Sequence, residues 1–162
     1  MSGLEAGKYA RFELERKFLL ERAPEGLDDE ARIYDRYLTG TRLRLRLAEH
    51  RDGRIEYKLN QKESPSPPEY GVMTITSLYL SAHEYEVLEV LPADELRKRR
   101  YHLGRYSIDV FEGPLGGLVL AEAEFGSNEE MRAHPIPEFA VRDVSNDVQY
   151  TGGWLAANGL PE

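Results

Sequence analysis

The sequence contains no cysteine. That excludes a disulfide scaffold, a thiolate nucleophile and any metal site that needs sulfur ligands. Histidine is scarce as well: His50, His83, His102 and His134 are far apart and show no H-x-x-x-H spacing, so any bound metal is expected to be a hard cation on oxygen ligands. No run approaches the roughly 20 apolar residues of a membrane span. The stretch Met1 to Tyr9 lacks the apolar segment of a signal peptide, so a cytoplasmic protein with no membrane partner is expected. Positive charge is in deficit, with 21 Lys and Arg against 29 Asp and Glu for a net charge of −8. General nucleic-acid binding is therefore not expected, and any basic site has to be local. A chain of 162 residues, 41% of them hydrophobic, can bury one core, so residues 1–162 are read as a single domain.

What the chain does have is alternation with period 2, broken by short turns, the pattern of a β-rich protein. Strands are expected over Arg11 to Leu19, Ile33 to Leu38, Arg42 to Leu47, Arg54 to Lys62 after an Asp52-Gly53 turn, and Val72 to Leu80. Leu96 to His102, Tyr106 to Glu112 and Leu118 to Phe125 follow as a meander. The run Ser64 to Pro68, Ser-Pro-Ser-Pro-Pro, cannot sustain a ladder and reads as a mobile loop. Ser81-x-x-Glu84 and Ser127-x-x-Glu130 are capping boxes that open two short helices, the first carrying Tyr85 and Leu88 inward. An amphipathic stretch from Ser145 to Asn158 suggests a C-terminal helix, weakened by Gly152-Gly153 in its middle.

The charged residues of each strand fall on one face, and their signs are segregated by strand. Glu13, Glu15 and Lys17 share a face opposite Phe12, Leu14 and Phe18, a pattern interrupted only by Arg16. Arg42, Arg44 and Arg46 share another, then Lys58 and Lys62, Lys98 and Arg100, Asp109, and Glu122 with Glu124. Like charges at i and i+2 repel by about 2 kcal/mol at an effective dielectric near 20, and solubility alone is better served by mixed signs. A closed barrel with the charged faces turned inward resolves the conflict. Acidic strands would then bind a divalent cation, and basic strands would clamp a multiply charged anion. Ala121, Ala123 and Phe125, alternating with Glu122 and Glu124, are the packed outer face of that strand. By parity Arg97 and Arg99 point outward, Lys62 near the loop reads as a surface lysine, Arg42 reads as exposed, and Tyr101 with His102 as strand-end packing. Glu89, Glu129 and Glu130 are surface acids of the short helices.

The pentad Glu13-Leu14-Glu15-Arg16-Lys17, followed in order by Arg44-x-Arg46, Lys58, Lys98-x-Arg100-Tyr101, Ile108-Asp109-Val110-Phe111-Glu112-Gly113 and Glu122-x-Glu124, resembles the CYTH family, the triphosphate tunnel metalloenzymes. The resemblance implies an α+β, β-rich fold, with a closed antiparallel barrel of about eight strands forming a tunnel and a few helices packed outside. It implies metal-dependent hydrolysis of a triphosphate, inorganic triphosphate above others, by a metal-activated water, with Mg²⁺ or Mn²⁺ as the ion. Carried over position by position, Glu13, Glu15, Lys17 and Glu122 would be catalytic. Glu13, Glu15, Asp109, Glu122 and Glu124 would hold the metal. Arg44, Arg46, Lys58, Lys98 and Arg100 would bind the triphosphate.

Two departures bear on that expectation. Val72 to Leu80 carries no acid where the family commonly alternates glutamates, and Gln149 precedes Tyr150 where the family has a basic residue. A second reading is therefore a module that binds a triphosphate or nucleotide without hydrolysing it; an adenylate cyclase or a thiamine triphosphatase stands further off.

Overall fold

The structure is a computed structural model that describes residues 6–162. Nine strands form one antiparallel sheet: β1 (Arg11–Leu20), β2 (Asp28–Leu38), β3 (Leu43–His50), β4 (Ile55–Glu63), β5 (Val72–Leu80), β6 (Ala93–Leu103), β7 (Tyr106–Phe111), β8 (Val119–Glu124) and the two-residue β9 (Arg142–Asp143). Three short helices are interspersed, α1 (Ala82–Leu88), α2 (Asn128–Ala133) and α3 (Gly152–Asn158). The strand order is β5-β4-β3-β2-β6-β7-β8-β1-β9, and β5 also pairs with β1, which closes the first eight strands into a barrel. No described helix is long and apolar enough to cross a membrane.

The seam of the barrel is short. β1 meets β5 only over Arg11 to Leu14 and then diverges, while its other edge pairs with β8 from Glu15 to Leu20. The edge left open is closed piece by piece: the Glu15 amide donates to the Gly71 carbonyl, the Lys17 amide to Ser145 Oγ, and β9 pairs with Phe18 and Leu19. Gly71 is required at this point. Its φ is +68°, and a Cβ there would lie 2.8 Å from the Glu15 carbonyl oxygen.

The alternation seen in the sequence is the inside and outside of this barrel. Phe18 and Leu20 of β1, Ile108 of β7 and Val119 and Ala121 of β8 form an outer core, packed under Phe139 and Ala140. Val72, Ala123, Phe125 and Met131 continue it beneath α2. Arg16, the interruption on that apolar face, is buried as a tie: its guanidinium donates to Asp143 at 2.7 Å and to the carbonyl oxygens of Met131 and His134. It thereby fastens α2 and β9 to β1.

Several boundaries differ from the sequence expectation. β2 starts at Asp28 rather than Ile33 and β6 at Ala93 rather than Leu96, because the two are paired along their length apart from an irregularity between Asp28 and Ala31. Ser81 and Glu84 form the full capping box, with Tyr85 buried. Ser127 accepts from the Glu130 amide, but only that half of the second box is made. The C-terminal helix spans Gly152–Asn158 after a 3₁₀ turn at Val148–Tyr150, so the two glycines begin the helix rather than interrupt it. A Cβ at Gly152 would overlap the Tyr37 hydroxyl. That close approach lets α3 set Leu155 into a core with Leu96, Phe111, Leu115 and Leu120. Gly152, Gly153 and Leu155 line the barrel cavity, so α3 closes one end of the lumen, whereas α1 and α2 lie outside.

Candidate active site

The barrel encloses a cavity of about 1230 Å³. Among the described residues its lining carries ten Lys and Arg against six Asp and Glu, so a chain of net charge −8 turns a cationic excess inward, where low-dielectric walls focus the field. The strands sort that charge as their sequences do.

On the acidic wall, Glu13 and Glu15 of β1 face Glu122 and Glu124 of β8, and the register sets Glu15 directly opposite Glu124 and Lys17 opposite Glu122. Carboxylate oxygens of Glu13, Glu15 and Glu124 lie within 4.8 Å of one another. Burial, reinforced by the nearby Glu122 charge, pushes the Glu15 carboxyl up to about 8. No ion pair reaches Glu15 or Glu124 among the described residues, so the trio is under-neutralised by the protein itself. A hard divalent cation suits such an all-oxygen set. Glu122 behaves differently. Burial opposes its ionisation, but Lys17, Arg100 and Lys98 hold its carboxyl down to about 2. Lys17 Nζ lies 3.6 Å from Glu122 and donates to the Tyr150 carbonyl at 3.1 Å, and Arg100 reaches Glu122 at 3.1 Å.

Asp109 stands apart from the trio. It is fully buried and accepts from Lys98 at 2.7 Å and from Arg100 at 2.7 and 2.8 Å. Burial works against the Asp109 charge, but these two cations depress its carboxyl far below the usual carboxylate range. Its contacts go to cations, not to the acidic cluster, and it positions Lys98 and Arg100.

The basic wall is β3, β4 and β6. Arg46 faces the cavity but is locked in a bidentate pair with Asp35, both bonds 2.7 Å. Burial disfavours the Asp35 charge, yet Arg46 dominates and drops its carboxyl far below normal. Asp35 escaped the sequence analysis. The signal was available, because a tight turn around Gly40 pairs Tyr37 with Arg44 and Asp35 with Arg46. Arg44 donates to Asn60 Oδ1 at 2.7 Å, while its buried Nε has no hydrogen-bond partner among the described residues. Lys58 lines the cavity with its ammonium 3.4 Å from Glu56. Arg42 is exposed and pairs with Glu63. His102 is half exposed and lines the cavity margin.

Lys62 contradicts its reading as a surface lysine. It lines the cavity and donates to Glu13 Oε1 at 2.8 Å. The parity argument placed it correctly beside Lys58; proximity to the proline loop was the misleading cue. On β5 the inward positions are Met73, Ile75, Ser77 and Tyr79, so this wall of the cavity is indeed free of acids. Arg97 and Arg99 point outward, over Tyr34 and toward Glu30 and Glu112 respectively.

An inorganic triphosphatase of Nitrosomonas europaea is 31% identical over 161 residues, spanning 89% of this chain and 96% of the relative. The chain belongs to that inorganic triphosphatase family. A crystal structure of the inorganic triphosphatase NE1496 superposes with a TM-score of 0.60 at 26% identity, over 91% of this chain and 99% of the other. A second crystal structure, of the hypothetical protein NE1496, matches equally at 0.60 with 27% identity, over 92% and 99%. No protein-family model matches the chain, so the CYTH name rests on the ordered residues alone. The barrel that those residues implied is the fold observed.

Proposed function

We propose that this chain is a single-domain, divalent-metal-dependent hydrolase of inorganic triphosphate, with Mg²⁺ or Mn²⁺ as its ion. The observation that carries the reading is the apposition, inside one cavity, of a convergent carboxylate trio and a basic wall, in a chain 31% identical to an inorganic triphosphatase.

Glu13, Glu15 and Glu124 hold the ion, with Glu122 beside them. Bound there, a divalent ion supplies charge neutralisation at the phosphoryl oxygens and lowers the cost of attack by water. Arg44, which lines the cavity and spends one terminal nitrogen on Asn60, and Lys58 engage the anion directly. Arg46, Lys98 and Arg100 are fixed by Asp35 and Asp109. They offer their remaining donors at set positions, so little side-chain reorganisation accompanies binding. Such preorganisation suits phosphoryl transfer, in which positioning and electrostatic stabilisation do most of the work.

Glu122, kept ionised by Lys17 and Arg100, accepts a hydrogen bond from the attacking water and orients it. Its depressed pKa makes it an orienting acceptor rather than a strong base. Lys17 lies next to it and neutralises charge on the phosphoryl group under attack. Water oxygen bonds to the terminal phosphorus as the anhydride P–O bond breaks, the water's proton is shed to solvent late in the step, and the products are phosphate and pyrophosphate. α3 closes one end of the lumen and thereby limits access of bulk water there.

The acid-free inner face of β5 favours, as a second reading, a binding module that retains the anion without turnover. Glu122→Gln separates the two: a hydrolase loses phosphate release while retaining most triphosphate binding, whereas a binding module shows no release in either protein.

A further inference from the structure

On one of its edges, β1 has no strand beside it at Lys17. Its pairing with β5 ends at Leu14, and its pairing with β9 begins at Phe18. Main-chain groups of Glu15, Lys17 and Leu19 face that edge, by the alternation of an antiparallel ladder, and each finds a substitute partner. The Glu15 amide donates to the Gly71 carbonyl, and the Leu19 carbonyl accepts from the Val141 amide. At Lys17 the substitute includes a side chain. Its amide donates to Ser145 Oγ at 2.8 Å, and its carbonyl oxygen accepts from the Ser145 hydroxyl at 3.3 Å and from the Val144 amide at 2.9 Å.

Ser145 is itself held in place. Its amide donates to Asp143 Oδ1 at 2.7 Å, the bond of an Asx turn. The other oxygen, Asp143 Oδ2, accepts from Arg16 Nε at 2.7 Å and from the Tyr70 hydroxyl at 2.6 Å. Farther along the same segment the Tyr150 carbonyl accepts from Lys17 Nζ at 3.1 Å. Lys17 is therefore held twice by one stretch of chain, at its main chain by Val144 and Ser145 and at its ammonium by Tyr150. The ammonium comes to rest 3.6 Å from Glu122. A charge carried on a strand edge without a neighbouring strand needs such fixing, because a displacement of about 1 Å at a reacting centre can cost about 100-fold in rate.

We infer that Ser145 is the positioning residue of Lys17. Its hydroxyl stands in for the strand that β1 lacks there, and so sets where the ammonium enters the lumen and meets the phosphoryl group under attack. Ser145 lines the cavity, but its hydroxyl spends both its acceptor and its donor on Lys17 and acts through it. The inference rests on the metal-dependent triphosphatase reading. Its consequence is a kinetic signature: Lys17 serves the transition state, while the basic wall sets affinity for the anion, so loss of the hydroxyl lowers kcat and leaves KM nearly unchanged.

The test combines steady-state hydrolysis of tripolyphosphate at saturating Mg²⁺ or Mn²⁺ with amide hydrogen exchange, read by NMR on the full chain without metal or substrate. Wild type is compared with Ser145→Ala and Ser145→Thr, and Ser145→Val, which matches threonine in shape without its hydroxyl, replaces the alanine variant should that one unfold. Ser145→Ala is expected to lower kcat by about 10-fold with KM within about 2-fold of wild type. It is also expected to speed exchange of the Lys17 amide by about 10-fold relative to the Arg16 and Phe18 amides, which by alternation face β8. Ser145→Thr stays close to wild type in both. A merely structural tie lowers Tm without a hydroxyl-specific fall in kcat at temperatures well below unfolding. Unchanged exchange at Lys17, or an equal loss of kcat in Ser145→Thr, overturns the inference. An active wild type beside an equally active Ser145→Ala overturns the inference alone, whereas a wild type that releases no phosphate with either ion overturns the triphosphatase reading and the inference with it.

Discussion

Glu15 of β1 and Glu124 of β8 are direct cross-strand partners, an acid facing an acid on the inner surface of the barrel. Facing like charges in a sheet destabilise the pair that holds them. The arrangement costs stability and gains a cation site, so the residues are better placed for binding than for folding.

Glu124→Gln follows from that relationship. In the absence of metal and above about pH 8, where Glu15 is ionised, the substitution is expected to raise Tm by about 1–2 °C, since it removes a repulsion of about 0.5 kcal/mol. In the same protein, Mn²⁺-induced stabilisation is expected to disappear. Thermal unfolding with and without Mn²⁺ reads both effects, and a lowered Tm with intact metal stabilisation would place the ion elsewhere.

Arg44 lines the cavity with a single side-chain hydrogen bond, to Asn60, whereas Arg46 spends two donors on Asp35. Arg44→Ala is expected to raise KM for tripolyphosphate by about 10–100-fold, the range of a lost charge-assisted hydrogen bond or two. Steady-state kinetics measure it; a KM within 2-fold of wild type, by about 0.4 kcal/mol or less, would remove Arg44 from the clamp.

Asp35 and Arg46 form a buried pair whose two halves depend on each other. Asp35→Ala leaves a guanidinium buried without its partner and is expected to cost about 3–5 kcal/mol, read by urea unfolding. Replacing both residues with apolar ones of similar volume is expected to cost much less. Acid sensitivity has the same origin. The native pKa of Asp35 lies below its unfolded value near 4, so the unfolded state takes up protons first as pH falls. The stabilisation is complete above about pH 4 and is lost progressively below it. Asp143, lowered by its Ser145, Tyr70 and Arg16 hydrogen bonds against the opposing effect of burial, contributes in the same direction. A Tm that does not fall between pH 5 and about pH 3 would contradict both assignments.

Gly152 begins α3 where the Tyr37 hydroxyl occupies the space of a Cβ. Gly152→Ala is expected to destabilise by about 1–3 kcal/mol through overpacking. Tyr37→Phe in the same chain removes the overlapping oxygen and is expected to restore part of the loss. Additive effects of the two substitutions would show that the contact is not the cause.

The inner and outer faces of the barrel were legible because alternation is a property of one strand at a time. Glu13, Glu15, Arg44, Lys58, Glu122 and Glu124 all line the cavity on the parity the sequence assigns them. What was missed depends on which strand lies beside which. Asp35 acquires its meaning only when β2 pairs with β3, Lys62 only when β5 closes onto β1, and Asp109 becomes an anchor for Lys98 and Arg100 only across β6 and β7. Arg16 looked like a flaw in an apolar face until β9 and α2 supplied its acceptors from residues more than 110 positions away. The glycines of α3 were read for their helix propensity, although it is the close approach of Tyr37 that requires Gly152.

The most direct test is phosphate release from tripolyphosphate by wild type and Glu124→Gln, each with Mg²⁺, with Mn²⁺ and with a chelator. The account predicts release by wild type that needs one of the ions, stops on chelation, and falls by at least about 100-fold in Glu124→Gln. Release that persists in chelator, or a variant that turns over like wild type, would contradict it.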